Sequence, residues 1–217
     1  MSFLFSCKSE NQESKQINND FVSNSSIKEE IVSTIKDSTF NLDSLAEIWI
    51  EGELGLDKLD LVEITKKTRA KFRKINSKKN WSKIVEREIW KTLEGGIATY
   101  YLNNNSIEKI HVRNFGETFQ NVKEFYFENN SMFFVFEIEY RYNRPIDYDS
   151  IKMKENNDNQ VFDFDESTIT ETRSYFKNKN LIRQISNQDC GSPNSIELRN
   201  EEETRLLEWQ ATVLEVF

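Results

Sequence analysis

Two cysteines, one histidine and a scatter of carboxylates are the side chains here that could do chemistry, and their spacing limits what they can do. Cys7 and Cys190 stand far apart, with no Cys-X-X-Cys pair, so the sequence encodes neither a disulfide framework nor a zinc site. A thiol nucleophile would need Cys190 to meet His111, because a neighbouring base must take the thiol proton. Nothing in the spacing brings the two together, and His111 sits alone in a strand-like run, where it reads as a surface or half-buried imidazole. A carboxylate pair suited to hydrolysis could be assembled from Glu137, Glu139, Asp147 or Asp149. Glu155, Asn156, Asp158, Asp163, Asp165 and Glu166 gather oxygen ligands at calcium-like density, but without the glycine and spacing of a helix–loop–helix calcium loop. No phosphate-cradling glycine loop is present. The expectation is no catalytic set, no cofactor and no metal site.

The elements that would position any site are more legible. An aromatic-led phrase with an Asn-centred break recurs at Tyr100-Tyr101-Leu102-Asn103-Asn104-Asn105, at Tyr126-Phe127-Glu128-Asn129-Asn130 and at Tyr175-Phe176-Lys177-Asn178-Lys179-Asn180. Asn tolerates the left-handed backbone of tight turns, so each copy predicts two antiparallel strands joined by a hairpin. The copies start at 100, 126 and 175, steps of 26 and 49. The second step is close to twice the first, which suggests a degenerate unit within the acidic stretch 146–166. Strands are expected over 84–90, 97–103, 106–115, 122–127, 132–142, 168–176 and 181–185. In the fifth, Met132, Phe134, Phe136, Ile138, Tyr140 and Tyr142 should share a dry face, by alternation. Phe134 and Phe136 are the expected core residues.

Helices flank this sheet. Leu61, Ile64, Thr68, Phe72 and Ile75 repeat at three- and four-residue steps, predicting an amphipathic helix over 58–76 with a basic outer face. A terminal helix should carry the stripe Leu206, Leu207, Gln210, Val213, Leu214 and Phe217, with Asn200 and Glu203 as its capping box. A short helix is expected at 27–37. The fold class is therefore α+β, an antiparallel meander of about seven strands with N- and C-terminal helices. The domain organisation expected is a polar tether with that weak helix over 8–44, then a single domain over 45–217.

Charge divides the chain. The net charge is −8 over 217 residues, yet residues 58–91 carry twelve Lys/Arg against four Asp/Glu, leaving the remainder at −16. A basic segment could meet nucleic acid or an anionic membrane, but overall acidity argues against nucleic acid and favours a solvated face. No apolar run approaches the roughly 20 residues that span a bilayer as a helix.

At the N-terminus, Leu4-Phe5-Ser6-Cys7 resembles a bacterial lipobox, in which the cysteine receives lipid, and the polar run from Lys8 to Gln16 suits a tether. A full signal has a basic start and about 7–15 apolar residues before the cleavage site. Only Met1 to Ser6 precede Cys7, without Lys or Arg, so residues 1–7 read as a truncated signal. The other reading is a reduced cysteine near a cytosolic terminus. Glu94-Gly95-Gly96, Tyr100-Tyr101, Phe115-Gly116-Glu117-Thr118, Tyr126-Phe127 and Tyr142-Asn143-Arg144-Pro145 resemble a family of secreted or lipid-anchored bacterial proteins with aromatic–Asn hairpin repeats. The hairpins are also distantly similar to the MORN repeats of bacterial antitoxin-like proteins. These resemblances imply an envelope protein, periplasmic or outer-membrane, and bring no catalytic residues. The preferred reading is a non-enzymatic lipoprotein, lipidated at Cys7, that binds a protein or glycan through one sheet face and exposed hairpin aromatics. The alternatives are an envelope-polymer hydrolase using a carboxylate pair, or a cytoplasmic immunity or antitoxin-like repeat protein.

Overall fold

The computed structural model describes residues 58–188 and 196–217, all within one compact unit. Helix α1 (Lys58–Asn76) leads into strands β1 (Lys83–Ile89), β2 (Gly96–Asn103), β3 (Ser106–Phe115), β4 (Phe119–Glu128) and β5 (Ser131–Arg141). After them come a short helix α2 (Ser150–Glu155), a 3-10 turn (Phe164–Glu166), β6 (Thr168–Lys177), β7 (Asn180–Ser186) and α3 (Ile196–Glu215). The seven strands form one antiparallel sheet in sequence order. This is the expected α+β meander.

The three Asn-centred hairpins share one geometry. Asn104 and Asn105, Asn129 and Asn130, and Asn178 and Lys179 all have positive φ, between 48° and 70°, at both central positions. Two left-handed residues define the turn whose twist matches that of paired strands. Each returning strand then carries one bulged residue, Glu108, Phe133 or Ile182, skipped by the pairing. Aligned on the turns, Tyr101 is the counterpart of Tyr126 and Tyr175, so the repeat begins one residue later in its first copy than the aromatic pair suggests. Lys179 is the one residue in these turns without Asn's tolerance of left-handed backbone. Lys179→Gly should therefore raise stability by about 0.5–1 kcal/mol. A lowered urea midpoint would show that the turn carries no strain to relieve.

The bulges have a consequence for the faces. Beyond each bulge, alternation is reset so that Tyr101, Lys109, Tyr126, Phe134, Tyr175 and Arg183 are successive cross-strand neighbours in one row. Helix α1 lies across this row. Thr65 accepts from Arg183 at 3.4 Å, Phe72 meets Phe134 and Tyr126 at 5.7 and 5.1 Å, and Asn76 donates to Tyr126. On the opposite face α3 crosses the strands: Glu203 accepts from the Leu181 amide, Leu206 and Val213 are buried, and the Val213 carbonyl accepts from Tyr100. Val85, Tyr100, Ile110, Phe125 and Val135 form the core beneath it. The sheet is thus dry on both sides near its hairpin end, because each face has its own helix.

Four expectations change. Met132 leaves the stripe of Phe134, Phe136, Ile138 and Tyr140, because the bulge at Phe133 turns it to the α3 face opposite Phe127. The acidic stretch is no degenerate hairpin: β5 pairs directly with β6, and the loop between holds only α2 and the 3-10 turn. Asn200 lies inside α3 rather than capping it, and Glu203 is occupied by β7. The hairpin aromatics Tyr100, Tyr126, Phe127, Tyr175 and Phe176 are buried rather than exposed, since both faces are covered. The signal, tether and 27–37 helix lie outside the described residues, as do Cys7 and Cys190.

Candidate functional site

The α3 face of the sheet changes character away from the hairpin turns. Beyond the apolar rows come Lys123, Glu137, Thr172 and Ser186 as cross-strand neighbours on β4 to β7, and then Asn121, Glu139 and Thr170. Beside α3 these residues line an open depression of about 260 Å³.

One wall is a fixed charge network. The Arg205 guanidinium on α3 donates to both Glu137 oxygens, at 2.9 and 2.8 Å, while Lys123 donates to Glu137 Oε1 at 2.5 Å. Arg205 also donates to Glu202, which accepts from Gln184 at 2.9 Å. Lys123 lies over the Trp209 ring. Burial pushes the Glu137 carboxyl up, but the Arg205 hydrogen bonds and the Lys123 charge outweigh it and hold it below the usual carboxylate range. Glu137 is therefore a locked anion, unsuited to donating a proton.

The other wall is free to bind. The hydroxyls of Thr170 and Thr172 and the carboxamide of Asn121 are half-buried and make no side-chain hydrogen bond to the described residues. Donors and acceptors left this way face water or a ligand. Glu139 adds a carboxylate that accepts from Arg141.

A second polar cluster lies on the α1 face. Lys109 donates to Glu124 Oε1 at 2.6 Å, His111 Nδ1 lies 3.2 Å from the same oxygen, and Tyr126 donates to Glu124 Oε2. Asn76 at the end of α1 closes the network by donating to Tyr126 and accepting from Lys109, each at 2.9 Å. Burial raises Glu124, but the Lys109 charge and the His111 hydrogen bond override it and bring the carboxyl to about 2. Burial and the Glu124 charge push the Tyr126 phenol well up. His111 is thus no isolated imidazole. Thr99, His111 and Glu124 are neighbours across three strands, an order that could activate a hydroxyl, but the Thr99 hydroxyl turns to Glu86 at 3.5 Å. The cluster ties α1 to the sheet.

The carboxylates singled out from the sequence separate. Glu137 and Glu139 share the depression, whereas Asp147 pairs with Lys152 and Asp149 caps α2. In the acidic loop Asp158 accepts from Nε and Nη2 of Arg144, and Asp163 caps its own 3-10 turn. No metal-ligating group of three forms among the described residues. Sequence reasoning missed Lys123, Arg205 and the Thr170–Thr172 pair. Strand parity carried a signal for two of them, since Lys123 and Thr172 share a face with Phe125 and Ser174.

Comparison with protein-family models, with curated proteins and with solved structures finds no match.

Proposed function

We propose that this chain is a non-enzymatic bacterial envelope lipoprotein, anchored through lipid on Cys7, whose sheet binds a glycan in the polar depression beside α3. The observation that carries the reading is the pairing of unsatisfied hydroxyl and amide groups on Thr170, Thr172 and Asn121 with a rigid wall of Glu137, Arg205 and Glu202. A polyol offers hydroxyls that both donate and accept, and such a lining matches it. A protein partner would want an apolar, aromatic-rich centre, which this lining does not offer. Fixed charges reduce the ordering cost of binding. Glu137, held as an anion by two cations, is unsuited to the proton-donor role in a hydrolytic carboxylate pair, which supports the binding reading over the hydrolase.

The anchor rests on Leu4-Phe5-Ser6-Cys7 and the polar segment after it. Among the described residues no helix is long and apolar enough to cross a membrane. In fractionated cells Cys7→Ser should move the protein from the membrane pellet to the soluble fraction. If the unsubstituted protein is already soluble, the anchor is wrong. For the ligand, isothermal titration of the full chain against soluble fragments of envelope polysaccharides should give saturable binding to at least one. Release of reducing ends during incubation would instead favour the hydrolase.

A further inference from the structure

The outer face of α1 is the strongest unexplained surface. The inward stripe Leu61, Thr65, Thr68, Phe72 and Ile75 is spent on the sheet, so this helix cannot lay that stripe into a bilayer. What remains outside is mostly basic, with Asp60 and Glu63 as its acidic residues. Some of its cations are neutralised internally, Lys67 by Glu63 and Lys71 by Glu128, as is Lys78 just beyond the helix by Glu108. Lys66, Arg73 and Lys74 are exposed and make no salt bridge to the described residues, although the Lys66 charge also falls on Glu63. By helical periodicity they share the solvent side with Leu59 and Val62, which are 76% and 49% exposed.

We propose that this face of α1 docks on an anionic phospholipid surface. Three arguments select that occupant. Unpaired cations on one helix face match a sheet of negative headgroups, each contributing near the surface and fading within a Debye length. Leu59 and Val62 suit the boundary between headgroup and acyl chain, an environment that nucleic acid lacks. Among the described residues, 58–91 carry +8 while the rest carry thirteen Lys/Arg against twenty-one Asp/Glu, or −8, so an anionic surface would attract the former and repel the latter, orienting the folded part. The inference goes beyond the glycan reading and does not depend on it. With Cys7 lipidated, the contact would supply the second signal that stable anchoring requires.

The test uses the full chain carrying Cys7→Ser, so that no lipid contributes. It is sedimented with vesicles of phosphatidylcholine alone and of phosphatidylcholine mixed with phosphatidylglycerol. Binding should occur to the mixed vesicles only and disappear on raising salt from about 0.05 M to about 0.5 M. Lys66→Glu, Arg73→Glu and Lys74→Glu together should weaken it on the order of a hundredfold. Lys154→Glu, exposed on α2 at the end of the strands away from the hairpins, should leave it unchanged. Equal binding to both vesicle types, or a triple variant that keeps its circular dichroism and binds normally, would overturn the proposal. So would a salt-sensitive dimer without vesicles, or preferential capture by a duplex oligonucleotide, since the face would then serve a second copy or nucleic acid.

Discussion

Phe134→Ala should lower stability by about 3–5 kcal/mol, the usual cost of emptying a large aromatic core position. The ring is 5% exposed and sits among Tyr175 at 5.1 Å, Phe72 at 5.7 Å and Tyr126 at 5.8 Å. Edge and tilted contacts of this kind add about 0.5–1.5 kcal/mol beyond burial. Because Phe72 is the ring by which α1 docks there, the loss should not spread evenly. Amide exchange ought to rise first in α1, with α3 on the opposite face keeping more of its protection. Phe136→Ala, one alternation along β5 and equally buried, should cost a similar amount without that preference for α1. An unchanged urea midpoint in either variant would mean that this face is not the core.

The second large effect lies in the charge network. Glu137→Ala leaves Lys123 and Arg205 facing each other with their shared anion gone. Breaking a buried pair from one side costs about 3–5 kcal/mol, chiefly the desolvation of the charge left behind. Arg205 keeps Glu202 as a partner, so the loss falls mainly on Lys123, which is buried and otherwise lies over the Trp209 ring. Replacing both members, Lys123→Met with Glu137→Leu, should recover much of the stability, because a dry apolar pair costs less than an orphaned cation. Urea midpoints for the two variants decide the matter. A double variant no better than the single would mean that Arg205, not Lys123, bears the loss.

Local signals in the sequence were enough for the elements. Alternation and Asn at the turns placed seven strands close to their observed limits, and three- and four-residue spacing marked α1 at Lys58–Asn76. Those signals depend on neighbours a few residues away. What failed depended on register. One bulge at Phe133 was sufficient to turn Met132 to the other face and to align Phe134 with Tyr126 and Tyr175. The hairpin aromatics looked like a contact surface because no local pattern says that a helix covers each face. Arg205 and Glu137 meet across 68 positions, and only the complete sheet with α3 on it brings them together. The depression is made of ordinary Thr, Asn and Ser residues whose meaning lies in sharing one face of β4 to β7.

That depression is the centre of the functional account, and two isosteric substitutions test it most directly. Thr170→Val with Thr172→Val removes the two free hydroxyls while keeping side-chain shape and strand propensity. Each hydroxyl that bonds ligand contributes about 0.5–1.5 kcal/mol, so together they should weaken glycan binding by about fivefold or more. The measurement is titration calorimetry of the full chain and of the double variant with the same polysaccharide fragment, after their urea midpoints have been shown to agree. The account predicts saturable binding by the unsubstituted protein and a loss of about fivefold or more in the variant. Equal affinity in the two proteins, or no binding to any envelope glycan, would contradict it.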